Sequence, residues 1–374
     1  MANANQVALG RSNLSTGTGY DGANDKYALY LKLFSGEMFK GFQHETIARD
    51  LVTKRTLKNG KSLQFIYTGR MTSDYHTPGT PILGNSDKAP PVAEKTINMD
   101  DLLISSAFVY DLDETLAHYE LRGEISKKIG YALAEKYDRL IFRSITRGAR
   151  QASPVSATNF AEPGGTQIRV GDSTDESDAY NAGDIVNAFY DAAAALDEKG
   201  VSGQGRVAVL NPRQYYSLIQ NVNSNGLINR DVQGTALQGG NGIIEIAGIK
   251  IYKSMNIPFL GKYGVKYGGT TGETSPGNLG DFIGPTPVDE NGTGRNNDYG
   301  TNAELGAVSC GLIFQKEAAG VVEAIGPQVQ VTNGDISVIY QGDVILGRMA
   351  MGADYLNPAA AVELYVGTSA PSTF

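Results

Sequence analysis

The chain has 374 residues, a formal net charge of −8, a single cysteine and no tryptophan. That length supports two or three domains with a sizeable core, and the acidity argues against a dedicated nucleic-acid binder. One cysteine, Cys310, excludes a disulfide framework, and a charged fraction of 19% is low for a free soluble chain, so part of the surface is expected to lie against other protein.

Residues 1–22 are small, polar and glycine-rich, and read as an arm that buries little by itself. From Asn24 the pattern changes. Tyr27, Tyr30, Leu31, Phe34, Met38 and Phe42 recur at three- and four-residue steps and predict an amphipathic helix whose aromatic stripe wants a partner surface. Leu63, Phe65 and Tyr67 alternate with Ser62, Gln64 and Ile66, the pattern of a strand. A second strand-like stretch runs from Thr96 through Ile104 to Tyr110, and Pro78, Pro81, Pro90 and Pro91 punctuate the segment between them. The pair predicts a hairpin arm reaching about 50 Å at about 3.3 Å per residue. A two-stranded hairpin is marginal in water, so it should rest on something outside its own domain.

Asp111 and Asp113 are N-cap candidates for the longest helical pattern, from about Glu114 to Ala149. One face holds Leu116, Tyr119, Gly123, Gly130, Leu133, Tyr137, Leu140 and Ile141, and the two glycines are expected where the helix approaches a sheet closely. Lys136, Arg139, Arg143, Arg147 and Arg150 form a basic stripe on the opposite face. It reads as a solvated face, as a partner for carboxylates of a neighbouring subunit, or as a surface toward packaged polyanion. After the acidic cluster Asp172, Asp175, Glu176 and Asp178, a helix with Ile185, Phe189, Ala192 and Leu196 ends at Gly200. Arg206–Leu210 predicts a strand, Asn211-Pro212 opens a further helix, and Ile249–Tyr252 is again strand-like. This alternation predicts an α+β or α/β unit over about 180–330, carrying a glycine-rich irregular insertion at 261–306. Leu312–Phe314, Val321–Ile325, Ile336–Leu346 and Val362–Val366 predict late strands.

No motif carries catalysis or a cofactor. Gly60-Lys61-Ser62 resembles the end of a phosphate loop, but Arg55 stands where the first glycine belongs and a strand follows instead of a helix. The Asp289–Gly294 stretch misses the spacing of a calcium loop. His44, His76 and His118, together with Cys310, lack metal-ligand spacing, and no nucleophile signature accompanies any of these histidines. No apolar run approaches the roughly 18 residues of a membrane span. Met1–Gly10 has no basic region followed by an apolar one, so no secretory leader is expected.

The order of these parts resembles the major capsid protein fold of tailed bacteriophages, the Hong Kong ninety-seven type, and within it the short-tailed phages of the T-seven type. The resemblance is carried by Leu31–Glu37, Ser62–Arg70, Thr96–Leu103, Val109–Asp111 and His118–Arg122. It continues through Arg206–Leu210 with Pro212 and Tyr215, Gly248–Tyr252, Ala350–Gly352 and Pro358–Ala360. It implies an α+β fold with an N-terminal arm (1–49) and an extended β-hairpin loop (50–105). It further implies a peripheral domain with the spine helix (106–150 and 333–374) and an axial domain (151–332). The implied function is self-assembly into hexamers and pentamers that form an icosahedral shell around double-stranded DNA. Scaffolding protein and a portal would be partners during assembly in the host cytoplasm, and the insertion at 261–306 leaves room for a decoration protein. No enzyme activity, metal, cofactor or membrane contact is implied. The arm residues Tyr27 to Phe42, the loop residues Leu63, Phe65 and Tyr67, and the basic stripe become the candidate contact residues. An encapsulin-type nanocompartment shell shares the fold and is the nearest alternative. A secreted β-rich hydrolase or adhesin is the alternative of another class.

Overall fold

The computed structural model describes residues 47–69, 71, 73, 75–79, 92–110, 121–155, 162–171, 176–220, 244–254, 256–257, 309–331, 339–366 and 370. The chain divides into two compact units, one formed by Met1–His44, Asp101–Glu135 and Ala324–Met351, the other by Glu45–Asp100, Lys136–Glu323 and Gly352–Phe374.

In the first unit, β4 (Leu103–Tyr110) pairs antiparallel with the start of β11 (Gly342–Tyr355), Tyr110 opposite Gly342 and Leu103 opposite Met349. Asp343, Ile345, Gly347 and Met349 alternate onto the more buried face of β11. The long helix α2 (Leu121–Ala149) covers that face: a β-carbon at Gly347 would overlap Ile129 and lie 2.9 Å from Leu133. Glycine is therefore required on the strand. At Gly130, expected to be the point of close approach on the helix, a β-carbon would meet nothing within 4 Å. For Gly130 the close approach is not there, because helical periodicity places a residue on a face but does not say which residue along it meets the partner. The start of the helix before Leu121 lies outside the described residues.

The second unit is built on a six-stranded sheet in the order β5-β12-β9-β6-β8-β7. Its strands are β5 (Thr166–Arg169), β6 (Arg206–Leu210), β7 (Ile244–Ile246), β8 (Ile249–Lys253), β9 (Ser309–Gln315) and β12 (Ala361–Tyr365). Central β6 is buried at all five positions, as expected of an apolar strand covered on both faces. It runs parallel to β8 and antiparallel to β9. Helix α3 (Ala182–Glu198) lays Ile185, Val186, Phe189, Ala192 and Leu196 into this core. Its first turn is capped by the Asn181 side chain, which accepts from Gly183 N–H, and it ends at Gly200 with φ +73°. Helix α4 (Pro212–Gln220) begins at the Asn211-Pro212 start signal, with the Gln214 side chain reaching back to accept from Asn211 N–H at 3.1 Å. β12 sits between β5 and β9. Residues 361–365 thus share the sheet of β6 and β9, whereas the expected partition grouped 333–374 with the spine helix.

The same unit carries a hairpin and its root. A short helix, α1 (Ala48–Leu51), leads into β1 (Thr53–Thr56), which pairs parallel with the start of β10 (Ala319–Val331). β2 (Ser62–Thr68) then pairs antiparallel with β3 (Val92–Asn98) over seven residues. The predicted strand from Thr96 to Tyr110 is two strands, β3 and β4, separated at Met99, whose N–H donates to Lys61 O at 2.8 Å. The paired ladder spans about 23 Å at about 3.3 Å per residue; the reach of about 50 Å expected of the whole arm depends on residues outside the described ones. Residues 80–91 at its tip lie outside the described residues.

Candidate assembly surface

In an antiparallel pair, residues directly opposite each other share a face. Leu63, Phe65 and Tyr67 share theirs with Ile97, Lys95 and Ala93. Leu63 and Phe65, like Met99 and Leu356, pack against Leu57, Ile97 and Val322 of the same chain, and Tyr67 donates to Asn357 Oδ1 at 3.4 Å. The three residues expected to reach a neighbour are thus half-buried on their own body. The outward face carries Ser62, Gln64, Ile66 and Thr68 opposite Asn98, Thr96, Glu94 and Val92. On it Ile66 is 76% exposed and Val92 64%, and exposed Met71 and Tyr75 follow in the chain. Alternation announced two faces; which one leans on the body depends on Ile97, Val322 and Leu356, far away in sequence.

A cationic cluster ties this hairpin down. Lys95 of β3 pairs with Asp354 at 2.7 Å and sits 3.5 Å from the centre of the Tyr355 ring. Arg147 of α2 approaches the same carboxylate at 3.9 Å with its side chain 42% exposed. The basic stripe is therefore not one surface. Arg139 and Arg150 are buried, while Lys136, Arg143 and Arg147 are half-buried. Arg150 clasps Glu363 of β12 with two bonds, Nε to Oε2 at 2.8 Å and Nη2 to Oε1 at 2.6 Å, both side chains essentially unexposed. Gln167 of β5 donates to the same carboxylate at 2.9 Å. Arg150 belongs to the interior of the fold, where a bidentate pair offsets the cost of burying a guanidinium. The arm residues Tyr27, Tyr30, Leu31, Phe34, Met38 and Phe42 lie outside the described residues.

Chemistry is sparse elsewhere. Cys310 is buried in β9, and burial pushes its thiol well above the ordinary range. Among the described residues no three His, Cys, Asp or Glu side chains come together where a metal could be held. What the surface offers instead is exposed apolar area, a feature of protein that is completed by other protein.

A family model described as Gp10A-like major capsid protein matches residues 64–365. The chain belongs to this family. It is 26% identical over 364 residues to the major capsid protein of Escherichia phage T7, covering 92% of this chain and 94% of that one. Among solved structures, the capsid of cyanophage P-SCSP1u superposes with a TM-score of 0.69 at 30% identity over 99% of each chain. The mature capsid of bacteriophage PhiM1 superposes with a TM-score of 0.63 at 16% identity, over 96% of this chain and 98% of that one. The fold is thus the tailed-phage, Hong Kong ninety-seven type, in the α+β class. This chain is a structural component of a phage virion that assembles with copies of itself into an icosahedral capsid. The encapsulin alternative is not favoured, because these relatives are phage capsid proteins.

Proposed function

We propose that the chain builds this capsid from hexamers and pentamers, closing a shell around double-stranded DNA that it holds without sequence preference. Scaffolding protein and a portal assist assembly in the host cytoplasm, and the role is mechanical rather than catalytic. Residues 1–49 serve as the arm, 50–105 as the extended loop, 106–150 and 333–374 as the peripheral domain, and 151–332 as the axial domain. Within that partition residues 361–365 join the axial sheet. Arm residues Tyr27 to Phe42 bind a neighbouring copy. Lys136, Arg143 and Arg147 remain the candidates for contact with a neighbour or with the packaged polyanion.

The observation that carries this reading is the outward face of the β2–β3 hairpin. Ile66 and Val92 are large, apolar and mostly exposed, while the opposite face already rests on the body. A shell subunit must meet its neighbours through two different patches, since a closed shell is built from heterologous contacts as well as symmetric ones. The outward hairpin face supplies one of them. Ile66→Asp places a charge in that contact without touching the core. Purified Ile66→Asp protein should stay folded and soluble and yield no closed shells in negative-stain micrographs. Shells at the wild-type yield would remove this face from the assembly contacts.

A further inference from the structure

Two buried carboxylates of the second unit face the short segment that precedes the hairpin. Asp138, on α2 and 1% exposed, accepts from the backbone N–H groups of Ile47 at 2.9 Å and Ala48 at 3.1 Å, and from Asn256 Nδ2 at 3.4 Å. It caps α1 from another helix, because the side chain of Ile47 cannot do so. Glu323, on β10 and 8% exposed, accepts from Arg49 Nε at 3.3 Å and Nη2 at 3.2 Å and from Tyr137 Oη at 2.7 Å. Its own carbonyl accepts from Leu57 N–H at 2.9 Å. Between these points Thr53–Thr56 runs as a parallel strand on Gly320–Glu323, and Thr53 Oγ1 donates to Lys316 O at 3.0 Å. Ala48, Val52 and Leu57 are buried along the way.

We infer that Asp138 and Glu323 are positioning residues for capsid assembly: they clamp residues 47–57 to the body and so fix the points from which the N-terminal segment and the β2–β3 hairpin depart. A buried carboxylate is costly unless its oxygens are bonded. Residues 47–49 supply two bonds to each of these two. Releasing the segment would take two backbone bonds from Asp138 and two guanidinium bonds from Glu323, so attachment is coupled to the body itself. The clamped segment is eleven residues long, and the hairpin follows from its end. A shell needs the hairpin aimed alike in every copy, because a contact misplaced by an ångström or two is repeated at every neighbour. The positioning role rests on the proposed contact between the outward hairpin face and a neighbouring copy; the clamp itself does not.

The test uses Asp138→Asn and Glu323→Gln, which keep shape and remove charge, with Ile145→Val as a control matched in melting temperature. Ile145 is fully buried in α2 and carries no hydrogen-bonding side chain. Hydrogen exchange of the soluble full chain should quicken by about tenfold at Ile47 and Ala48 in Asp138→Asn and stay unchanged in Ile145→Val. Shell yield should fall at least about fivefold in both carboxylate variants while Ile145→Val keeps it. Wild-type yields from the carboxylate variants, or equal losses in all three, would overturn the positioning role. Unchanged exchange at residues 47–48 would overturn the clamp. Full shells from wild-type protein with normal docking of the hairpin face, alongside either of these results, would leave the proposed function standing while the inference fell.

Discussion

Replacing Glu363 by glutamine separates the weight of the buried Arg150–Glu363 pair from that of an ordinary surface bridge. Both side chains are essentially unexposed, two guanidinium bonds of 2.8 and 2.6 Å join them, and Gln167 adds a third bond to the carboxylate. The substitution keeps the volume and removes the Glu363 charge that faces the buried Arg150 guanidinium. Breaking a pair of this kind costs about 3–5 kcal/mol, whereas an exposed pair is worth about 0–1 kcal/mol. For a unit of 267 residues each kcal/mol moves the melting temperature by about 2–4 °C, so the transition should fall by roughly 6–20 °C. Urea titration of the unassembled chain, followed by circular dichroism, measures the loss directly. The double variant Arg150→Met with Glu363→Leu removes both charges and should recover most of it, short of the bond that Gln167 loses. A single-variant cost below about 1 kcal/mol would show that the pair is hydrated and refute its place in the interior.

The same titration carried through alkaline pH tests a second consequence of burial. Burial, and then Glu323, hold the Tyr137 hydroxyl above its ordinary value of 10.0, and burial holds the Cys310 thiol above 9.0. Both groups stay neutral in the folded chain while the unfolded chain ionises, so stability is fully present below about pH 9 and declines above it. The slope is at most about 1.4 kcal/mol per pH unit for each group, and Cys310→Ala should remove one share. A flat profile between pH 9 and 11 would contradict the burial of both. Gly352→Ala tests a backbone contact: the added methyl would overlap the carbonyl oxygen of Asn98, which no side-chain rotation relieves. It should cost about 1–3 kcal/mol or more, and a neutral result in the same assay would refute the close approach.

Much of the second unit was legible in the sequence, for local reasons. The strand of Arg206–Leu210, the Asn211-Pro212 helix start, the apolar stripe from Ile185 to Leu196 and its Gly200 stop are each written in a few neighbouring residues, and the structure has them there. What was illegible depends on partners distant in the chain. Leu63, Phe65 and Tyr67 were readable as one face of a strand, but Val322 and Leu356 decide that this face looks inward. Arg150 fell into a basic stripe by spacing, and only Glu363, 213 positions away, makes it an interior residue. β5 and β7 are too short to show a period, and Asp138 and Glu323 give no local sign that they hold residues 47–49. The family itself was recognisable from the order of its parts, because that order reflects the whole path of the chain.

Reconstruction of the particles formed by the purified chain, by cryo-electron microscopy, tests the central claim most directly. The account predicts closed icosahedral shells in which Ile66 and Val92 of each copy are buried on a neighbouring one. A chain that remains a single polypeptide at high concentration, or shells in which those two side chains face solvent, would contradict it.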